Sequence, residues 1–299
     1  MKNDISQEML FVTTIDGPIE RRRVQMLVDS IRTFGGSFRE SEMWIFDISP
    51  QRDLCGRMEG GRVEAFPLEL PSGTASYPFG GKVTACARAE EMIAAANLTL
   101  VWISSDCLVL NPPGEQSITS PYQAAFRPVH IKNIGSSWGE PLNEYWRMIY
   151  QSVGLEKAPF SVTSFVDQVK LRPYFNSHTF SVQPSLGLMN RWLELFRQFV
   201  ADKAYQEGPC QPFREKVFLH QALLSALMVS ELEEGEIRIL PPPYAYPYNL
   251  QGDIPQDSRV GDIGELVSLT WEGRTLDPRQ VEDMEIGEPY RSWLGRYFD

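Results

Sequence analysis

The sequence is poor in the residues that most often bind metal or do chemistry. Its 299 residues hold only three histidines, His130, His178 and His220, and four cysteines. The cysteines are Cys55, Cys86, Cys107 and Cys210, and none forms a C-x-x-C pair. That spacing excludes a zinc knuckle and a thioredoxin-type site. Scattered thiols fit small core residues in a reducing, cytoplasmic setting. No H-E-x-x-H or G-x-S-x-G occurs, which removes the zinc-protease and nucleophile-elbow signatures. No G-x-G-x-x-G follows the first apolar run, against a dinucleotide fold. Gly80-Gly81-Lys82 fails the Walker pattern, because Val83 follows the lysine and Ser76 stands where the first glycine belongs.

Basic residues are scarce too. Lys and Arg total 28 against 39 Asp and Glu, a net charge of −11. Such a chain makes a poor nucleic-acid binder, which needs clustered cations to displace phosphate counterions. It is equally ill suited to an anionic membrane surface. The longest mostly apolar run, Ile93 to Ile103, is broken by Asn97 and Thr99 and is too short to cross a bilayer. The first residues show no basic start followed by an apolar stretch, so no secretory signal is expected. Hydrophobic residues at 42% and charged residues at 22% place the chain among ordinary globular proteins.

What is present is an alternation of strands and helices. Met9–Thr14, Met43–Phe46 and Leu98–Ile103 are short, apolar and β-branched or aromatic, and read as buried strands. A weaker strand is expected near Arg62–Leu68. Ile19–Phe34 reads as a helix with Val24, Leu27, Val28 and Ile31 on one face, stopped by Gly35-Gly36. Lys82–Ala96 reads as a second helix. This order implies right-handed crossovers and a mainly parallel sheet flanked by helices. Ligands of such sheets bind at the carboxyl ends of the strands. Here those ends are Thr13 to Asp16, Asp47 and Ser104 to Asp106. Farther on, strands are expected over Tyr122–Phe126, Thr179–Val182 and Glu236–Leu240. Helices are expected over Pro141–Ser152, Leu188–Val200 and Phe213–Val229.

Four blocks resemble the GT-A nucleotide-sugar glycosyltransferases, of the kind grouped as glycosyltransferase family 8. Phe79-Gly80-Gly81-Lys82, a helix and then Leu100 to Leu110 resemble the block that leads into the family's D-x-D motif. Tyr174 to Val182 resembles its F-N-[ST/A]-G segment. Phe218 to Leu224 resembles its D/H-Q helix, and Leu240 to Asn249 its LP-x-x-[YF]-N segment. The resemblance spans about residues 9 to 250. It implies a GT-A α/β fold with a Rossmann-like N-terminal half. It also implies transfer of a sugar from a nucleotide-diphosphate donor, most simply a UDP-sugar, to a sugar or other small acceptor. GT-A enzymes usually stabilise the leaving pyrophosphate with Mn²⁺ or Mg²⁺ held by the D-x-D carboxylates. This chain departs from that pattern. The triplet is Ser104-Ser105-Asp106, a degenerate D-x-D that lacks its first carboxylate, and no histidine follows Asn249. His178 stands where the family has glycine.

Together, the strand-end pattern and the resemblance make Asp106 the candidate for catalysis and for the metal, with His178 a further catalytic candidate because its imidazole would stand where it can touch substrate. They make Thr13, Thr14, Asp16, Asp47, Lys82, Ser104, Asn176, Ser177, His220 and Gln221 candidates for substrate. Each has a plainer alternative. Asp106 and Asp47 suit turns, Thr13 a strand core, and Asp16 a helix cap. Lys82 suits a solvated first helical turn, Asn176 and Ser177 a loop, and His220 a core helix. His130 is assigned to the core, and Arg21-Arg22-Arg23 either to a solvated helix face or, through one of its arginines together with Lys82, to neutralising the leaving group without metal. Tyr244, Tyr246 and Tyr248 either stack on a sugar or pack their loop. Asp167 is a candidate general base. Residues 1–251 are expected to form one GT-A-like domain, with 252–299 an irregular acidic tail packed on it. Loss of the first carboxylate supports a rival reading, a non-catalytic GT-A-like protein that binds a nucleotide sugar or a partner. A nucleotidyltransferase fits less well, since the basic, glycine-rich loop it needs after the first strand is absent.

Overall fold

A computed structural model describes residues 8–50, 61–271, 277, 279 and 283–298. Cys55 lies outside the described residues. The N-terminal half follows the expected alternation. Strand β1 (Glu8–Ile15) leads into helix α1 (Pro18–Phe34), then β2 (Glu42–Asp47), β3 (Val63–Pro67), helix α2 (Gly80–Ile93) and β4 (Leu98–Ile103). After β4 come a short β5 (Cys107–Val109), β6 (Ala124–Pro128) and helix α3 (Glu144–Ser152). The hairpin β7 (Val162–Thr163) and β8 (Lys170–Leu171) precedes β9 (Phe175–Val182). Helices α4 (Leu188–Ala201), α5 (Lys203–Glu207) and α6 (Phe213–Glu231) follow, then β10 (Ile237–Ile239), β11 (Tyr246–Pro247), β12 (Ser268–Thr270) and α7 (Tyr290–Phe298).

Seven strands make one mixed sheet in the order β10-β6-β9-β4-β1-β2-β3. The pairs β1–β2, β1–β4, β2–β3 and β6–β10 are parallel. Strand β9 runs antiparallel between β4 and β6, so its first residues reach the edge where the parallel strands end. The sequence places only Thr179–Val182 in this strand. The structure begins it at Phe175, because Asn176, Ser177 and His178 are strand residues whose polar groups are bonded inside the protein. They are buried or half-buried polar groups that pattern reading takes for a loop.

Successive strand residues face opposite sides. Met9, Phe11 and Ile15 of β1 pack with Val24, Leu27, Val28 and Ile31 of α1. Leu10 and Val12 face the larger core built by α2, α3, α4 and α6, with Trp102, Trp146 and Trp192 among its fully buried side chains. A third cluster joins Met26 and Leu108 to Tyr246, Tyr248, Leu269, Trp271 and the α7 residues Trp293 and Leu294. Tyr244, Tyr246 and Tyr248 are therefore buried packing residues. Within 252–299, β12 pairs with both β5 and β11 and brings Trp271 against the end of β4. No described helix is long and apolar enough to cross a membrane.

Candidate functional site

Two cavities open where the parallel strands end, and they share Arg23, Phe79 and Asp106. The first, about 300 Å³, lies between α1 and the start of α2. Thr14, Asp16, Glu20, Lys82, Ser104 and Ser105 line it. The second, about 260 Å³, is walled by His130, Asn176, His178, Phe218, Gln221 and Trp271.

Lys82 anchors the first cavity. Helix α2 starts abruptly after Phe79, which sits at φ 61°, ψ 12°. Gly80 is required there, since a Cβ would stand 2.1 Å from the Thr74 carbonyl oxygen. This turn carries Lys82 inward rather than to solvent, leaving it 7% exposed. Its Nζ donates to the Ser177 carbonyl (2.9 Å) and Ser177 Oγ (3.2 Å), and lies over the rings of Phe79 and Trp102. No described carboxylate forms an ion pair with it. Burial lowers its pKa to about 8, against the opposing pull of Asp106. A cation at a helix N-terminus also opposes the helix dipole, whose positive end calls for an anion.

Ser177, His220 and Gln221 stand behind that lysine. Ser177 Oγ donates to Gln221 Oε1 (3.1 Å) and lies 3.0 Å from His220 Nε2. His220 Nδ1 lies 3.0 Å from the Val217 carbonyl, and burial, aided by the Lys82 charge, pushes its pKa well below the usual value. His220 is thus a neutral buried ring, tilted against the Phe79 ring with centroids 4.3 Å apart, and lines neither cavity. Gln221 does reach the second cavity.

Asp106 sits at the junction, at the turn between β4 and β5. Its carboxylate lies 3.2 Å from His178 Nδ1, and its backbone oxygen accepts from Thr270 Oγ1 (3.2 Å) and Trp271 N (3.3 Å). Burial alone would raise its pKa, but His178 and then Lys82 hold it below the ordinary carboxylate value. Thr270 Oγ1 is also 3.0 Å from His178 Nδ1. Asn176 fixes the neighbouring backbone, its Oδ1 accepting from His178 N at 2.7 Å. The rings of His178 and His130 stack with centroids 6.0 Å apart. Among the described residues, Asp106, Cys107 and His178 form the one cluster of three metal-ligating groups, all within 4.8 Å of one another. A Mg²⁺-type site of carboxylate oxygens does not fit, because Ser104 occupies the first carboxylate position and its Oγ accepts from Trp102 Nε1. One carboxylate, one imidazole and one thiol suit a borderline ion better.

The Rhodobacterales glycosyltransferase domain matches residues 23–229, more than two thirds of the chain. This chain belongs to that glycosyltransferase family. Its fold is GT-A, an α/β fold with a mostly parallel mixed sheet between helices. The galactosyltransferase LgtC, solved with donor and acceptor sugar analogues, superposes with TM-score 0.53 at 12% identity, over 97% of each chain. WbbM, a bifunctional glycosyltransferase solved in its apo form, gives 0.50 at 12% identity over 93% of this chain. This chain spans about half of WbbM, 48% of its length. No curated protein matches the sequence.

Against this frame of a glycosyltransferase, the expected site residues divide. Thr14, Asp16, Lys82, Ser104 and Asp106 line the first cavity, and Asn176, His178, Gln221 and again Asp106 the second. Ser177 and His220 support Lys82 from behind. Thr13 is fully buried on the α1 side of β1, as the strand-core alternative has it. Asp47 is buried at the end of β2, accepting from Ser49 N (3.0 Å) and Ser49 Oγ (2.6 Å) in the turn that follows. Neither lines a cavity. Asp16 is no helix cap, for Gly17 holds that place, and its N–H donates to Glu20 Oε2. Asp167 accepts from Lys132 N and Ser164 Oγ and stands outside both cavities. Two wall residues, His130 and Trp271, escape sequence reading, and a third, Arg23, is foreseen only as one unspecified arginine of its triplet. His130 lies on the second cavity instead of in an anonymous core. Arg23 turns inward from the basic triplet to touch both cavities. Trp271 comes from a segment that sequence reading treats as tail.

Proposed function

We propose that this domain transfers a sugar from a nucleotide-diphosphate donor, a UDP-sugar, to a sugar or other small acceptor. In this reading it is a relative of glycosyltransferase family 8 whose D-x-D motif is degenerate. The observation that carries it is Lys82, a buried ammonium without an ion-pair partner among the described residues, lining a cavity at the carboxyl ends of the strands. A pyrophosphate supplies the anion such a site calls for. Arg23, on the wall common to both cavities, completes the cationic pair that would hold the leaving group as its charge develops. The donor's sugar would then project past Asp106 toward Asn176, Gln221 and the acceptor in the second cavity. A divalent cation on Asp106 would supply Lewis-acid stabilisation of the same leaving group.

Residues 1–251 form the transferase domain in this reading, and 252–299 close its second cavity through Trp271. Three buried free thiols, Cys86, Cys107 and Cys210, suit a reducing compartment such as the cytoplasm. Calorimetry of the full chain with UDP, UDP-sugars and GDP-sugars, with and without Mn²⁺, tests the proposal. UDP-sugar binding weakened by Asp106→Ala, together with slow donor hydrolysis, supports it. Absence of binding to every nucleotide refutes it. The second reading, a binding protein without catalysis, is favoured by the hydroxyl of Ser104 in place of a carboxylate. Tight nucleotide-sugar binding with no hydrolysis would select it.

A further inference from the structure

We infer that Asp106, Cys107 and His178, with Thr270 beside them, form a site for a borderline transition-metal ion of the zinc class, and not one for Mg²⁺. The inference rests on the transferase reading for the ion's use, but not for its existence.

The four side chains converge from three strands. Asp106 and Cys107 lie at the start of β5, His178 on β9 and Thr270 at the end of β12. Asp106 Oδ2 to His178 Nδ1 is 3.2 Å, Cys107 Sγ to Asp106 Oδ1 is 3.8 Å, and Thr270 Oγ1 to His178 Nδ1 is 3.0 Å. A tetrahedral zinc ion about 2.0–2.3 Å from its donors spaces them about 3.3–3.8 Å apart. The remaining pair, Cys107 and His178, lies within 4.8 Å, so an ion would draw these two together by up to about 1 Å. Both cavities reach Asp106, and the Asp106 and His178 side chains are 26% and 22% exposed, so an ion has a way in.

Donor chemistry sets the selectivity. Mg²⁺ demands a near-octahedral set of oxygens, and this cluster offers one carboxylate and one hydroxyl. Imidazole and thiolate favour Zn²⁺ or Co²⁺. Binding releases the Cys107 thiol proton to solvent and uses the His178 tautomer that carries its proton on Nε2. One carboxylate and one thiolate then neutralise the ion's two charges. Three protein donors leave a fourth position open toward the cavities, as in catalytic rather than structural zinc sites. His178 thereby supplies at Asp106 the donor that the serine at position 104 cannot.

The full chain, stripped of metal by chelation, is titrated with Co²⁺, Zn²⁺, Mn²⁺ and Mg²⁺. The expected result is one equivalent of Co²⁺ with a thiolate-to-cobalt charge-transfer band and the intense visible bands of four-coordination. Zn²⁺ displaces it and Mg²⁺ does not. Changing outer-shell groups alone costs metal sites about 10–100-fold in affinity, so losing a ligand in His178→Gln or Asp106→Asn weakens binding by at least about a hundredfold. Cys107→Ser loses the charge-transfer band while Cys86→Ser keeps it, and thermal melting of each variant verifies its fold. No stoichiometric uptake, a band that survives Cys107→Ser, or Mg²⁺ binding as tight as Zn²⁺ overturns the inference. UDP titration of the same preparation keeps the two readings apart. A chain that binds UDP but no cobalt refutes the ion site alone; one that binds cobalt but no nucleotide refutes the transferase reading alone.

Discussion

Replacing Lys82 by methionine tests whether the buried ammonium serves ligand binding at the expense of the fold. Burial moves the lysine from 10.5 to about 8. At about 1.4 kcal/mol per pKa unit, holding that charge in the folded protein costs about 3 kcal/mol below pH 8. Methionine keeps most of the side-chain length and removes the charge. The change also strips a donor from the Ser177 carbonyl and hydroxyl, which gives back about 1–2 kcal/mol. Lys82→Met is therefore expected to be more stable than the native chain by about 1–2 kcal/mol at pH 7, a rise in melting temperature of roughly 2–6 °C.

The pH dependence has a definite sign. Between pH 8 and 10.5 the unfolded chain keeps the lysine proton that the folded chain has lost. Native stability therefore rises with pH across that window relative to the variant, and the gap closes by about pH 10. Denaturant unfolding of both proteins at pH 7 and pH 10, followed by tryptophan fluorescence, measures this. The same variant is expected to lose UDP binding, and native binding is expected to fall as pH rises past about 8. A variant less stable than native at pH 7, a gap unchanged at pH 10, or unaltered UDP affinity would show that Lys82 is an ordinary structural lysine.

Adjacent glycines at the start of α2 should behave differently. A Cβ on Gly80 meets Thr74 backbone at 2.1 Å, whereas one on Gly81 meets only the tip of Ile48, Cδ1, at 2.3 Å. Gly80→Ala is expected to cost about 3 kcal/mol or more and Gly81→Ala under about 1.5 kcal/mol, read from denaturant midpoints. Phe79 holds a left-handed backbone while its ring covers Lys82 at 4.8 Å and His220 at 4.3 Å. Phe79→Gly should leave folding within about 1 kcal/mol of native, because relief of strain offsets lost packing, yet weaken nucleotide binding in calorimetry. Glu90 is buried and accepts from Met189 N, Asn190 N and Asn190 Nδ2 at the start of α4. Glu90→Ala should destabilise by about 2–3 kcal/mol with UDP affinity unchanged, which thermal melting with and without UDP would separate.

Legibility in the sequence tracked how each residue spends its polarity. β1, β2, β4 and α1 were readable because their side chains are apolar and their periods unmixed, so propensity and burial agree. The N-terminal half of β9 was not, because Asn176, Ser177 and His178 are polar residues inside a sheet, satisfied by partners 40 or more residues away. Which arginine of the Arg21-Arg22-Arg23 triplet faces the site was hidden for a related reason. Three consecutive arginines on a helix fall about 100° apart, so one can turn inward while Arg21 and Arg22 stay exposed, and nothing local marks which. His130 and Trp271 reach the second cavity only through long-range packing: β6 beside β9, and β12 against β5.

The misplaced aspartate makes the same point from the other side. Asp47 and Asp106 both follow an apolar strand and look alike in sequence. Asp47 is closed by Ser49 two residues on, a partner the sequence contains locally, and so turns away from the cavity. Asp106 has no serine two positions on, and its neighbour Cys107 offers only a weak thiol donor 3.8 Å from Oδ1. Its carboxylate instead meets His178 on β9, on the wall that both cavities share. Distinguishing a turn aspartate from a site aspartate therefore means asking what nearby residue could satisfy it. A strand-end carboxylate with a serine two positions later is bonded in place by local geometry. One without such a partner must wait for a long-range donor, an ion or a substrate, and that lack of local satisfaction is the sequence-level signal of the site.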